Sequence, residues 1–154
     1  MLSGNFKVGQ DSHNPQQTKV LARDIDSRIL TNIYAYIMRA FPRDGFIHMS
    51  RHLVAKTRRE RLSIDFGAIR DTIWGGASNV IEVSRLDRWR TTHMRVLMRD
   101  YGIRRQVRID GRITACNACF VLDLTTQELV TFYWNEATDR HATLNPYHYE
   151  RVES

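Results

Sequence analysis

The pair Asp110-Gly111 constrains this chain more than any other feature. It lies between the runs IRRQVRI and RITACNACFVLDL. A two-residue type I′ turn needs positive φ at both central positions, so Asp-Gly between apolar-containing runs predicts a β-hairpin. A second polar turn, Thr125 to Glu128, separates Leu124 from LVTFYWN. The flanks are rich in Val, Ile, Phe, Tyr, Trp and Thr, which suit a half-buried pleated surface. The reading is a three-stranded antiparallel meander over about 103–135. Alternation places Arg104, Gln106 and Arg108 on one face of its first strand, and Leu129, Thr131, Tyr133 and Asn135 on one face of its third. A bulge would exchange these faces.

Upstream of the meander the pattern is mostly helical. Asn14-Pro15 has the chemistry of a helix start, and Leu21, Ile25, Ile29, Ile33 and Ile37 recur every four residues up to Phe41-Pro42. This predicts one long amphipathic helix over 15–40. Ser50 is placed to cap a short helix with a basic end at Arg58, Arg59 and Arg61, and Ser63 to cap a further one that stops at Gly75-Gly76. Val80 to Val83 reads as a short strand. Ser84 to Asp87 resembles a capping box with Asp in place of Glu, so a helix is expected from there to about Tyr101. Its apolar face would hold Leu86, Trp89, His93, Val96 and Leu97, making His93 a core histidine, with Arg88, Arg95 and Arg99 on the other side. A strand over 93–99 is the alternative, because His93, Arg95, Leu97 and Arg99 also alternate. The fold class expected is α+β: N-terminal helices packed on a C-terminal antiparallel sheet, with 1–14 a loose leader and 15–154 a single domain.

Charge points to a partner. The net charge of +6 comes from 20 Arg and 3 Lys against 17 acids. Arg recognises phosphate in a planar, bidentate way that Lys does not. The charge is concentrated: residues 51–112 hold 14 Arg and 1 Lys against 7 acids, whereas 113–154 hold 2 basic and 6 acidic residues. A basic middle fits nucleic acid, and a solvated face of scattered charges is the plainer alternative. No apolar run approaches the roughly 20 residues of a membrane-spanning helix.

Few groups remain for chemistry. The chain has no Walker loop, no G-x-G-x-x-G, no H-E-x-x-H and no G-x-S-x-G. Cys116 and Cys119 form a lone C-x-x-C. On a regular strand residues three apart face opposite ways, which suits small buried residues better than a shared metal. No metal or other cofactor is expected. His, Arg, Thr and Tyr are what metal-independent RNA cleavage uses: the 2′-hydroxyl attacks its own phosphate, a base and an acid move protons, and cations hold the charge. His48-x-x-Arg51-His52 is the densest such group, with both imidazoles on one face if 48–52 forms a helical turn. His141 is a lesser candidate.

Helices, then a basic H-x-x-R-H segment, then a meander closing on T-F-Y resembles the barnase, EndoU, colicin D and RelE group of ribonuclease toxin domains. The resemblance covers roughly Phe46 to Asn135, in order and character. It implies an endoribonuclease acting on RNA in the cytoplasm, delivered in some members as the C-terminal part of a secreted protein and blocked by an acidic immunity or antitoxin protein. By position His48, Arg51, His52 and Thr131 match it best, and the strand faces add Arg104, Arg108 and Tyr133. Catalysis is therefore expected at His48, His52 and Thr131, and RNA binding at Arg51, Arg104, Arg108 and Tyr133. The meander's Arg-bearing face lacks a Glu, so a barnase-type base is not expected there. Two other readings stay open: a non-catalytic RNA- or DNA-binding accessory protein, which needs the arginines and not the histidines, and a basic protein-interaction domain.

Overall fold

The computed structural model describes residues 16–88 and 90–138; for Gln16, Gln17, Gly102, Ile103, Arg104, Val107 and Ile109 only the backbone is described. The architecture is α+β: three α-helices and a mostly antiparallel sheet. Strand β1 (Gln16–Leu21) is followed by helix α1 (Ser27–Ala40), the short strand β2 (His48–Met49), and helices α2 (Arg51–Glu60) and α3 (Phe66–Ile73). Then come β3 (Val80–Arg88), β4 (Thr91–Ile109), β5 (Arg112–Asp123) and β6 (Glu128–Glu136). The sheet order is β1-β3-β4-β5-β6-β2, antiparallel except where β2 joins β6.

The meander forms as expected. Asp110 and Gly111 have φ of 51° and 80°, the two positive values that a type I′ turn requires. The first strand, however, begins at Thr91 rather than near Ile103. The helix expected from Ser84 to Tyr101 does not exist: this stretch is the β3–β4 hairpin, with Leu86 opposite His93 and Ser84 opposite Arg95. Asp87 does not cap a helix. Its carboxylate accepts from Arg85 Nε at 3.0 Å and from Thr92 Oγ1 at 2.9 Å, fastening the hairpin. The alternation of His93, Arg95, Leu97 and Arg99 was the true signal.

The long helix over 15–40 is also corrected. Its beginning is the edge strand β1 and a 3-10 turn at Ala22–Asp24, and α1 starts where Asp26 Oδ1 accepts from Arg28 N at 2.8 Å. Of the expected stripe Ile29 is 55% exposed, whereas Ile25, Ile33 and Ile37 meet the core, joined there by Leu30, Tyr34 and Phe41. Helix α2 is capped by Ser50 as expected, but α3 is capped by Asp65, not Ser63. Asn14-Pro15, the leader 1–14, Trp89 and His141 lie outside the described residues.

One face of the sheet packs on the helices. Val96, Met98, Phe120, Leu122, Leu129 and Phe132 meet Ile37, Leu53, Ile69 and Ile73 there. A bulge at Val130 lets both Leu129 and Phe132 point into this core, so Leu129 does not share a face with Thr131. The other face carries Leu97, Cys119, Val121 and Tyr133. Arg99 is also on that face and fully buried, its guanidinium donating to Asn117 Oδ1 and to the Glu136 carbonyl.

Candidate active site

The β5–β6 turn is built around Asp123. Its Oδ1 accepts from the backbone N–H groups of Thr125 (2.9 Å) and Thr126 (3.0 Å), a local bond pattern that Asp favours at turns. Its Oδ2 accepts from His93 Nδ1 at 2.8 Å and from Arg95 Nε at 3.0 Å. The Asp123 side chain is only 1% exposed. Burial by itself pushes this carboxyl up, but the hydrogen bonds from Thr126, His93 and Arg95 outweigh it and hold the pKa below 3.8. An ionised carboxylate can only accept, so Nδ1 of His93 must carry a proton. The imidazole is thereby fixed in orientation, with Nε2 left to exchange a proton; Thr91 Oγ1 lies 3.3 Å from it.

A groove of about 470 Å³ opens beside this network. Its wall on the α2 side is formed by Ser50, His52, Leu53 and Lys56. Its sheet side is formed by Arg88, His93, Arg95, Asp123, Thr131 and neighbouring turn residues, including Glu128. Two imidazoles, three cations, two carboxylates and three hydroxyls therefore line one concave surface. The sheet supplies a histidine with a fixed ring, and the start of α2 supplies an exposed one.

The expected site residues divide. His52 and Thr131 line the groove; His48 and Arg51 do not. His48 is not on a helical turn with His52. It sits in β2 opposite Glu128, exposed, with its ring edge-on to Phe46 at 4.8 Å. Arg51 is exposed as the first residue of α2. Tyr133 lies opposite Cys119 against the second-face cluster. Arg108 is far from Thr131: their cross-strand partners, Ile113 and Val121, are eight residues apart on β5, roughly 27 Å of extended chain. The side chain of Arg104 is outside the described set. The groove adds Lys56, Arg88, His93, Arg95 and Asp123, which the sequence reading did not assign to a site, and it brings in the meander's Glu128. His93 is thus no helix-core residue. The alternating His93 and Arg95, with an Asp closing the next strand opposite Arg95, was the signal that could have found it.

The cysteines occupy opposite faces, Cys116 beside Glu136 and Cys119 beside Tyr133, and are not disulfide-linked. Burial pushes the Cys116 thiol up, away from the reactive thiolate. Among the described residues no three His, Cys, Asp or Glu side chains converge in a way that could hold a metal ion, and no helix is long and apolar enough to cross a membrane. No family model, curated protein or solved structure matches this chain.

Proposed function

We propose that the chain is an endoribonuclease that cleaves RNA without a metal ion, and that the groove beside Asp123 is its active site. The observation that carries this reading is the convergence of His52 and a carboxylate-anchored His93 on one surface that also carries Lys56, Arg88 and Arg95. His93 Nε2 accepts the proton of a ribose 2′-hydroxyl as its oxygen attacks the adjacent phosphorus. The bond from phosphorus to the 5′-oxygen breaks, and His52 returns a proton to that oxygen. The products are a 2′,3′-cyclic phosphate and a free 5′-hydroxyl. Lys56, Arg88 and Arg95 offset the charge that grows on the phosphoryl oxygens, and the Thr131 hydroxyl donates to one of them. On the same reading, an acidic protein that fills the groove is the natural inhibitor, as the resemblance to toxin domains implies.

Cleavage of bulk RNA in the presence of EDTA tests the assignment. The rate should be bell-shaped in pH, because one imidazole must be neutral and the other charged. His93→Ala and His52→Ala should each lose on the order of 10²–10⁴ in rate, with circular dichroism as the folding control. If Glu128→Gln alone silences the enzyme while His93→Ala does not, the base is Glu128. If folded wild type cuts no RNA, the reading fails and the binding-only alternative, which needs the arginines alone, takes its place.

A further inference from the structure

Strands β4 and β5 outrun the rest of the sheet. The pairing of β3 with β4 stops at Met98, and the pairing of β6 with β5 stops at Cys116. Beyond Cys116 the β4–β5 hairpin continues as a two-stranded ribbon to the Asp110-Gly111 turn, five residues or roughly 17 Å further. A register shift between Asp100 and Arg104 marks its root. Arg105 fastens that root to the body, its guanidinium 3.0 Å from Asp65 Oδ2 and over the Trp134 ring at 5.1 Å.

The tip is different. Arg108 and Arg112 are exposed, Asp110 is the one acid between them, and Arg108 donates back to the Gly111 carbonyl of the turn at 3.3 Å rather than to the body of the fold. Arg108 pairs with Ile113, and Arg112 pairs with Ile109. These are adjacent cross-strand pairs, so the two arginines project from opposite faces of the ribbon. A single strand laid along one face meets one of them. Two phosphate backbones flanking the ribbon meet both. The minor groove of an A-form RNA stem is wide and shallow, so a two-stranded ribbon laid along it lies between two phosphate backbones. The tip is eleven residues of β5 from Asp123, roughly 37 Å of extended chain, so no mononucleotide or dinucleotide in the groove touches it.

We propose that this ribbon is a second RNA-contacting surface, which grips a base-paired stem flanking the strand cut in the groove. The inference rests on the ribonuclease reading for its choice of RNA. The preferred substrate is then a structured RNA, and the ribbon sets how far from the stem the cut falls.

The experiment measures anisotropy of a labelled RNA hairpin with a single-stranded tail, at several salt concentrations. Wild type is compared with Arg108→Ala/Arg112→Ala and with Arg108→Lys/Arg112→Lys. The alanine variant should bind roughly tenfold more weakly, with a log–log salt slope smaller by about two, one for each lost phosphate contact. The lysine variant should recover most of the slope, since it keeps both charges and any fold effect of truncation is removed. Wild-type affinity and slope in the alanine variant would overturn the proposal. So would a loss of the same size on the tail alone, which would make the ribbon a single-strand contact. Equal arginine-dependent binding of a DNA duplex of the stem sequence would overturn the choice of RNA. Absence of cleavage by wild type, with the binding pattern intact, counts against the ribonuclease reading and leaves the ribbon in place.

Discussion

Asp123 shows how one side chain holds a turn and orients an imidazole. It is buried, it accepts four hydrogen bonds, and its carboxyl titrates below 3.8 in the folded chain. Between that lowered value and 3.8, the unfolded carboxyl is protonated while the folded one stays ionised. The stabilisation from Asp123 is therefore fully present above pH about 3.8 and is lost as pH falls through the folded value. Melting temperatures of wild type and Asp123→Asn, taken from pH 7 down to pH 2, should differ most at neutral pH and converge in acid. A constant gap would mean that the ionised form is not what stabilises the turn. Gly111 makes a second case. A Cβ there would meet nothing within 4 Å, so any cost of substitution comes from its φ of +80° rather than from a clash. Gly111→Val should cost about 1 kcal/mol or more by denaturant titration.

Among the elements, the helices are tied to one another by polar side chains as well as by the core. The Tyr34 hydroxyl donates to the Ile73 carbonyl at 2.7 Å and accepts from Gly76 N–H at 3.0 Å, joining α1 to the end of α3. Trp74 Nε1 donates to the Phe41 carbonyl across the same seam. Tyr34→Phe keeps the ring and leaves two part-buried backbone groups without that partner, so it should destabilise by about 1–2 kcal/mol in thermal or urea unfolding. An unchanged stability would show that water replaces the hydroxyl at no cost. Elements with local signals were readable from the sequence: the Asp110-Gly111 turn, the Ser50 cap, the Gly75-Gly76 stop. Those that depend on distant partners were not. Strand β1 pairs with β3 some 65 residues later, and nothing within QQTKVL announces that partner. The spacing of Leu21, Ile25 and Ile29 matched a helix by coincidence. Misreading β3 and the start of β4 as a helix moved His93 to the wrong side of the fold, and with it the site. Two of the groove's residues, His52 and Thr131, were named. The anchored histidine needed the register of β4 against β5, which brings Arg95 opposite Asp123.

At the scale of the whole molecule, the sheet order separates the strands into two groups. The four central strands, β3 to β6, follow one another in the chain and pair with their immediate successors. Both edge strands, β1 and β2, come from earlier in the chain, as do all three α-helices. A ribosome therefore releases the edges and the helical layer before any of the sheet that they cover. Until β3 to β6 have emerged, the apolar sides of α1, α2 and α3 have no sheet to rest on, and β1 has no neighbour. The early half of the nascent chain must wait, exposed to chaperones and proteases, for the late half to form its hairpins. The groove waits as well, since His52 emerges long before His93 and Asp123. On the ribonuclease reading, activity is thus withheld from the growing chain until β6, which carries Thr131, has folded against β5.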